Sequence, residues 1–305
     1  MAFHNFYRAA LVAMMAMAGA ASVAAQKKIP PPLDCGQGVS LRLNSATAAQ
    51  GGLLEAEVRS TKPLAEIQGD WSKEQLHFWQ DASHKNIERA FIAVDLERAP
   101  GRYELSLTAE LVGSTRATCS AAITVKAGKF AVEKLSVAKE FVEPSAEEIE
   151  RANKERQRLR EIFATVTPDR WWQGKFRLPL DGARNAKNFG RRRVLNGEPG
   201  SPHSGVDFPA PPGTPIHAAQ RGKVVLAEKL FFSGNTVVID HGLGIYTFYG
   251  HMESIAVSVG DAVEKGTVLG KVGATGRVTG PHLHWGLTVN QARVNPLQIL
   301  SLPTS

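Results

Sequence analysis

Alternation of apolar and polar residues dominates the first half of the chain. The runs VSLRLNS, LLEAEVRS, AFIAVDLE, RYELSLTAEL and SAAITVKA place apolar side chains at every second position, and turn signals such as APG separate them. Side chains of a strand point to alternate faces, so each run reads as a half-buried β-strand. Several short strands at this spacing predict a β-sandwich of immunoglobulin-like type over residues 26–130. Asp70, His77 and His84 fall in segments that read as irregular, where they are expected to be solvated loop side chains.

The period changes after residue 130. In EPSAEEIERANKERQRLREIF, Ser145 is placed as an N-cap and Glu148, three residues on, completes a capping box. Ile149, Leu159, Ile162 and Phe163 leave a thin apolar stripe among mixed charges. Residues 131–170 therefore read as a charged helical linker, or a brace, between two domains. From Trp171 the β texture returns. GTPIHAAQRGKVVLAEK, GNTVVIDHGLGIYTFYGHM and VSVGDAVEKGTVLGKVGATG are short strands and hairpins rich in glycine, predicting a compact all-β domain over residues 171–305. Trp171 and Trp172 read as packing at its start.

The first 25 residues stand apart. Arg8, an apolar run from Ala9 to Ala21 and the small residues Ser22 to Ala25 form the pattern of a secretory signal peptide, cleaved near Ala24 to Gln26. No later stretch approaches the length of a membrane span, so no stable membrane insertion is expected after cleavage. Export changes the meaning of the charge. The chain carries 36 Lys and Arg against 29 Asp and Glu, a net +7, with a pI near 9.5. Such a balance favours an acidic partner, and export argues for a wall polymer or lipid over nucleic acid. The two cysteines, Cys35 and Cys119, read as a disulfide that staples the first strand of the mature chain to a late strand of the same domain. Neither has a Cys or His neighbour at metal-ligand spacing.

Six of the nine histidines lie between His203 and His284. They concentrate in PHSGVDF, YTFYGHM and GPHLHWG. His282 and His284 are two apart, so in a strand both reach one cavity while Leu283 packs behind. His203 and Asp207 sit four apart across a Ser-Gly and can converge from a turn. Imidazole and carboxylate without thiolate suit a catalytic zinc site, where three protein ligands leave one position open. Five candidates are too many for three positions.

At this point the sequence resembles the lysostaphin-type, or LytM-domain, zinc metalloendopeptidases that cut peptidoglycan peptides. The likeness rests on His203-Ser-Gly-Val-Asp207, on the histidine of Tyr-Gly-His251 and on His282-Leu-His284. NFGRRR, DFPAPPGTPIHAAQRGKVV and TGRVTGPHLHWG also match, in the family order, over roughly residues 185–298. The preceding sandwich and charged helix resemble the N-terminal module of some Gram-negative members. The resemblance implies a LytM-type fold and Zn2+ bound by His203, Asp207 and His284. It also implies that His251 and His282 activate water and stabilise the oxyanion, leaving open which does which. Stem peptides of peptidoglycan become the expected substrate, and a signal peptide without an obvious Gram-positive wall-anchoring tail favours a periplasmic location. Asn235, His241 and Arg191 are further candidates for substrate contact, each with a rival reading as a turn or rim residue. His217 reads as packed or half-exposed. Two other activities fit the same motifs: a non-catalytic activator of wall amidases, and a broader secreted protease.

Overall fold

The computed structural model describes residues 29–113, 115–135, 145–183, 186–195 and 197–302. The expected signal peptide lies outside the described residues.

The N-terminal half opens with β1 (Leu33–Gly36), β2 (Val39–Leu43), β3 (Thr47–Ala49), β4 (Leu53–Ser60) and β5 (Leu64–Trp71). There follow β6 (Glu74–Gln75), β7 (Phe78–Gln80), β8 (Ile87–Ala93), β9 (Gly101–Leu111) and β10 (Thr115–Lys126). They build two five-stranded sheets, ordered β1-β2-β4-β8-β7 and β3-β10-β9-β5-β6. The alternating positions of the sequence fill the space between the sheets: Leu41, Val58, Ile92, Leu105, Leu107 and Ile123 are all buried there. The Cys35–Cys119 disulfide joins β1 to β10 and so ties one sheet to the other. One strand escaped the pattern. Asp70 is not in an irregular segment but in β5, whose LAEIQGDW carries too few apolar residues to show alternation. Its carboxylate accepts from the Lys73 N–H at 2.7 Å and shapes the turn that follows.

After β11 (Val132–Leu135) comes α1 (Ala146–Ala164), with the expected capping box between Ser145 and Glu148. The helix lies against the C-terminal sheet. Leu159, Ile162 and Phe163 pack on Leu226, Leu230, Val238 and Tyr246 of the C-terminal sheet. The Tyr246 hydroxyl donates to Thr165 O at 2.6 Å, and Arg158 pairs with Glu228. The narrow stripe suffices because it meets the outer face of a sheet rather than a second helix.

The C-terminal domain contains β12 (Arg192–Leu195), β13 (Glu198–Pro199), β14 (Gly205–Pro209), β15 (Pro215–His217), β16 (Gly222–Leu230) and β17 (Gly234–Asp240). It is completed by β18 (Ile245–Ile255), β19 (Ala262–Val263), β20 (Val268–Val272), β21 (His282–Val289) and β22 (Ala292–Val294). The main sheet runs β14-β21-β18-β17-β16-β19, antiparallel throughout, with β14 at one edge. Val206, Phe208, Tyr249, Leu283 and Trp285 form its buried inner face. That core does not stop at the domain boundary. Leu53, Trp79, Phe91 and Ala93 of the sandwich join it, around the fully buried Trp172. Arg293 adds a fork to Asp95 (2.8 and 3.0 Å) and reaches Glu97 at 2.7 Å.

Candidate metal centre

The register of three neighbouring strands builds the site. Asp207 on β14 stands opposite His284 on β21, and Gly250 on β18 stands opposite His284 on its other side. Residues directly opposite share a face, so Asp207 and His284 project together, away from the inner core. His282 joins them by its two-residue spacing, and His203 reaches over from two residues before β14. His203 Nε2 lies 2.9 Å from Asp207 Oδ1 and 3.0 Å from His284 Nδ1, and the last two atoms are 2.8 Å apart.

The donor chemistry of this triangle fits a cation. His203 Nδ1 donates to Asn188 O at 2.9 Å, which turns Nε2 toward Asp207 and His284. Two ring nitrogens and a carboxylate oxygen this close can surround a cation, which would take the place of the proton shared between His203 Nε2 and Asp207. Burial alone would raise the Asp207 carboxyl. The hydrogen bonds from His203 and His284, with their charge, outweigh it and hold the group well below the usual carboxylate range. Burial lowers His284, which favours the neutral imidazole that a metal ligand requires. Among the described residues, His203, Asp207 and His284 are the one such group of potential metal ligands.

Glycine makes room for the third ligand. A Cβ on Gly205 would lie 2.5 Å from Trp285 O and 2.7 Å from His284 Nε2. The first atom is backbone and cannot retreat without parting β14 from β21; the second belongs to the ligand ring. Gly205→Ala is expected to lose about 1–3 kcal/mol, as overpacking does, and to weaken metal binding. Thermal unfolding and zinc titration check this; wild-type values in both would show that the strand pair has slack.

His251 arrives by a different route. In a regular strand it would alternate with Gly250 and point into the core beside Tyr249. Instead β18 bulges: the register to β17 shifts between Asn235 and Val237, so that Gly250 and His251 oppose the single residue Thr236. His251 takes φ +64°, a left-handed conformation uncommon for a residue with a side chain. Its N–H donates to Ser233 O at 2.7 Å and its Nδ1 to Thr275 O at 2.9 Å, which hold it there. The bulge aims the ring at the site, its centroid 4.8 Å from that of His282 and 6.0 Å from that of His284. Burial, together with the charges of His284 and His282 and against the Thr275 bond and Asp207, pushes His251 down to about 4, so it is neutral near pH 7. His282 donates from Nδ1 to Gly280 O at 2.8 Å and turns Nε2 toward Asp207, 3.8 Å away.

The secondary candidates divide. Arg191 is half-buried beside His203, whose N–H donates to Arg191 O at 3.0 Å. Asn235 is the second residue of β17, next to the bulge, with its amide donating to Glu253 O at 3.0 Å. His241 is a correction. It is fully buried at the far end of the β17–β18 hairpin, held by Arg221 O and Thr247 Oγ1, both at 2.7 Å, with Phe176 against its ring. Polar partners supplied from β18 and a loop draw the ring into the core, away from any cleft. His217 is half-buried, its Nδ1 on Gly266 O at 3.0 Å.

His241 has a consequence for acid stability. Burial lowers it from 6.5 to about 4 against the bond to Arg221 O. The unfolded chain therefore binds this proton as pH falls through 6.5, and the folded chain only near 4. Stability is lost across that window, by about 3 kcal/mol for the shift. The stability difference between wild type and His241→Gln should shrink by that amount from pH 7 to pH 4 in denaturant titrations; a constant difference would contradict the neutral ring.

Asn188, Gly205 and Thr275 were not singled out by motif reasoning, although Asn188 opens the NFGRRR stretch and Thr275 opens TGRVTG.

Comparison with known proteins places this geometry in a class. Residues 201–296 match the family described as peptidase family M23. Peptidoglycan DD-endopeptidase ShyC of Vibrio cholerae is 43% identical over 122 residues, which is 39% of this chain and 28% of that protein. DD-carboxypeptidase/endopeptidase Mpg of Neisseria meningitidis is 41% identical over 102 residues, 33% of this chain and 23% of that one. A crystal structure of a candidate peptidase M23 from Pseudomonas aeruginosa superposes with a TM-score of 0.63 at 28% identity, covering 83% of this chain and 94% of that chain. The C-terminal domain is thus a LytM-type peptidase M23 domain. The chain spans less than a third of the length of these two curated relatives.

Proposed function

We propose that the protein is an exported zinc metalloendopeptidase that hydrolyses peptide cross-links of peptidoglycan in the periplasm. The observation that carries the reading is the convergence of His203, Asp207 and His284 with two further imidazoles beside them. The names of the Vibrio and Neisseria relatives support the substrate. Export rests on the signal-peptide pattern, and cell fractionation with N-terminal sequencing of the mature chain tests it.

His203, Asp207 and His284 would hold the zinc ion, which when bound supplies Lewis acidity toward a water molecule and a peptide carbonyl. His251 and His282 each commit Nδ1–H to a backbone carbonyl, which leaves Nε2 of each ring as the nitrogen free to exchange a proton. One of them takes the proton of the attacking water. The other, once it carries a second proton at Nε2, faces the charge that develops on the carbonyl oxygen. The net +7 charge holds the enzyme to an anionic wall, an attraction that salt weakens.

Purified sacculi incubated with the zinc-loaded protein should lose turbidity and release fragments with new peptide termini, identified by mass spectrometry. Stimulation of a wall amidase without hydrolysis or metal would overturn the enzyme reading. Equal cleavage of casein or elastin would replace the substrate.

A further inference from the structure

The metal ligands are held by a loop that the N-terminal half of the chain keeps in place. We infer that Asn188 is a positioning residue for the metal centre and that the segment around Phe130 locks it there, an inference that rests on the metal-site reading above. Asn188 serves two ligands at once. Its carbonyl oxygen accepts from His203 Nδ1 at 2.9 Å, and its side-chain Oδ1 accepts from the Asp207 N–H at 3.1 Å. The second bond answers a specific need. β14 is an edge strand, so an outward N–H on it has no neighbouring strand to pair with, and Asn188 caps the one belonging to a ligand.

The same loop grips His203 by its backbone. Gly190 N–H donates to His203 O at 2.8 Å, and His203 N–H donates to Arg191 O at 3.0 Å. Orientation of both ligands thus depends on four hydrogen bonds to residues 188–191. Bonds of this outer kind fix the tautomer and direction of a ligand ring before the ion arrives.

What fixes the loop is not the peptidase domain alone. β11 pairs in parallel with β12, immediately after the loop, and Arg192 N–H donates to Ala131 O at 2.9 Å. The Phe130 ring lies so close over Gly190 that a Cβ there would be 2.2 Å from it, and it meets Phe189 with centroids 6.2 Å apart. Phe189 in turn lies over Gly51 of the sandwich, where a Cβ would again fall at 2.2 Å. Both glycines have positive φ, 72° and 74°, a second reason for that residue type. A continuous path of contacts therefore runs from Gly51 and Phe130 through Phe189 and Gly190 to His203 and Asp207. The sandwich side of the molecule supports the metal centre rather than only standing beside it.

The test is zinc affinity of the full chain, measured by competition with a chromophoric chelator, with Tm of the metal-free protein recorded alongside. Asn188→Ala should lower affinity about 10–100-fold, the usual cost of removing an outer-shell partner, with the metal-free Tm little changed. Asn188→Asp keeps an acceptor oxygen and should recover most of the affinity. Phe130→Ala should also weaken zinc, and the double variant should lose less than the product of the two single losses, because both act through one loop. Wild-type affinity in Asn188→Ala, equal loss in the Ala and Asp variants, or fully multiplicative losses would overturn the inference. Failure of the wild type to bind zinc would instead overturn the metal-site reading itself.

Discussion

His284→Ala is expected to lose both zinc and hydrolysis, and His282→Ala to keep most of its zinc while losing hydrolysis by about 10²–10⁴-fold, the usual range for a proton-transfer group. Spacing alone makes these two residues equivalent, since both project from one face of β21. Their neighbours make them different. His284 Nδ1 lies 2.8 Å from Asp207 Oδ1 and 3.0 Å from His203 Nε2, so its removal leaves two donors where three converged. His282 Nε2 is 3.8 Å from Asp207 and its other nitrogen is committed to Gly280 O. It stands beside the triangle without closing it. Metal content by elemental mass spectrometry, paired with turbidity loss of sacculi, reads the two effects separately. Equal zinc loss in both variants would refute the division of roles.

Trp172→Ala is expected to destabilise the whole protein by about 3–5 kcal/mol, the range for truncating a large buried aromatic side chain. Its ring is fully buried, 5.3 Å from Trp79, 6.4 Å from Phe91 and 6.5 Å from Phe176, so aromatic groups from both halves of the chain surround one side chain. Burying each ring also stabilises its partners, because edge and offset contacts add to the apolar area removed from water. Loss of the ring therefore weakens the junction as well as the peptidase core. Trp172→Phe keeps an aromatic ring and discards an indole N–H that has no hydrogen-bond partner among the described residues, so it should cost much less. Denaturant unfolding followed by two probes, one in each half, measures this. A single shared transition shifted in Trp172→Ala is the expected result; an unshifted sandwich transition would show that the halves are energetically separate.

Much of this architecture was legible in advance because it follows from a period of two. The alternating runs became β2, β4, β8, β9 and β10, and His282-Leu-His284 gave two rings on one face without any knowledge of the neighbouring strands. The capping box announced α1 because both of its bonds are local. β5 went unread because charge and glycine interrupt its alternation, and its partners β9 and β6 supply what its pattern lacks. The helix read as a linker or a brace because its stripe of four apolar residues is narrow, and three of them meet the C-terminal sheet.

By itself, the sequence determined the set of groups available to the site and the strand that carries two of them. It also paired the cysteines by elimination, since only two exist. Only the tertiary structure decided how those groups are used. His251 enters the site because a bulge reverses the alternation that would have buried it, and a bulge depends on how two strands register, not on either strand's residues alone. His241, in the same hairpin and of the same residue type, is buried because Arg221 O and Thr247 Oγ1 offer it hydrogen bonds at the opposite end. Asn188 matters because an edge strand leaves one N–H facing it. Period and caps are properties of neighbours along the chain; register, edge and bulge are properties of strands brought together from far apart.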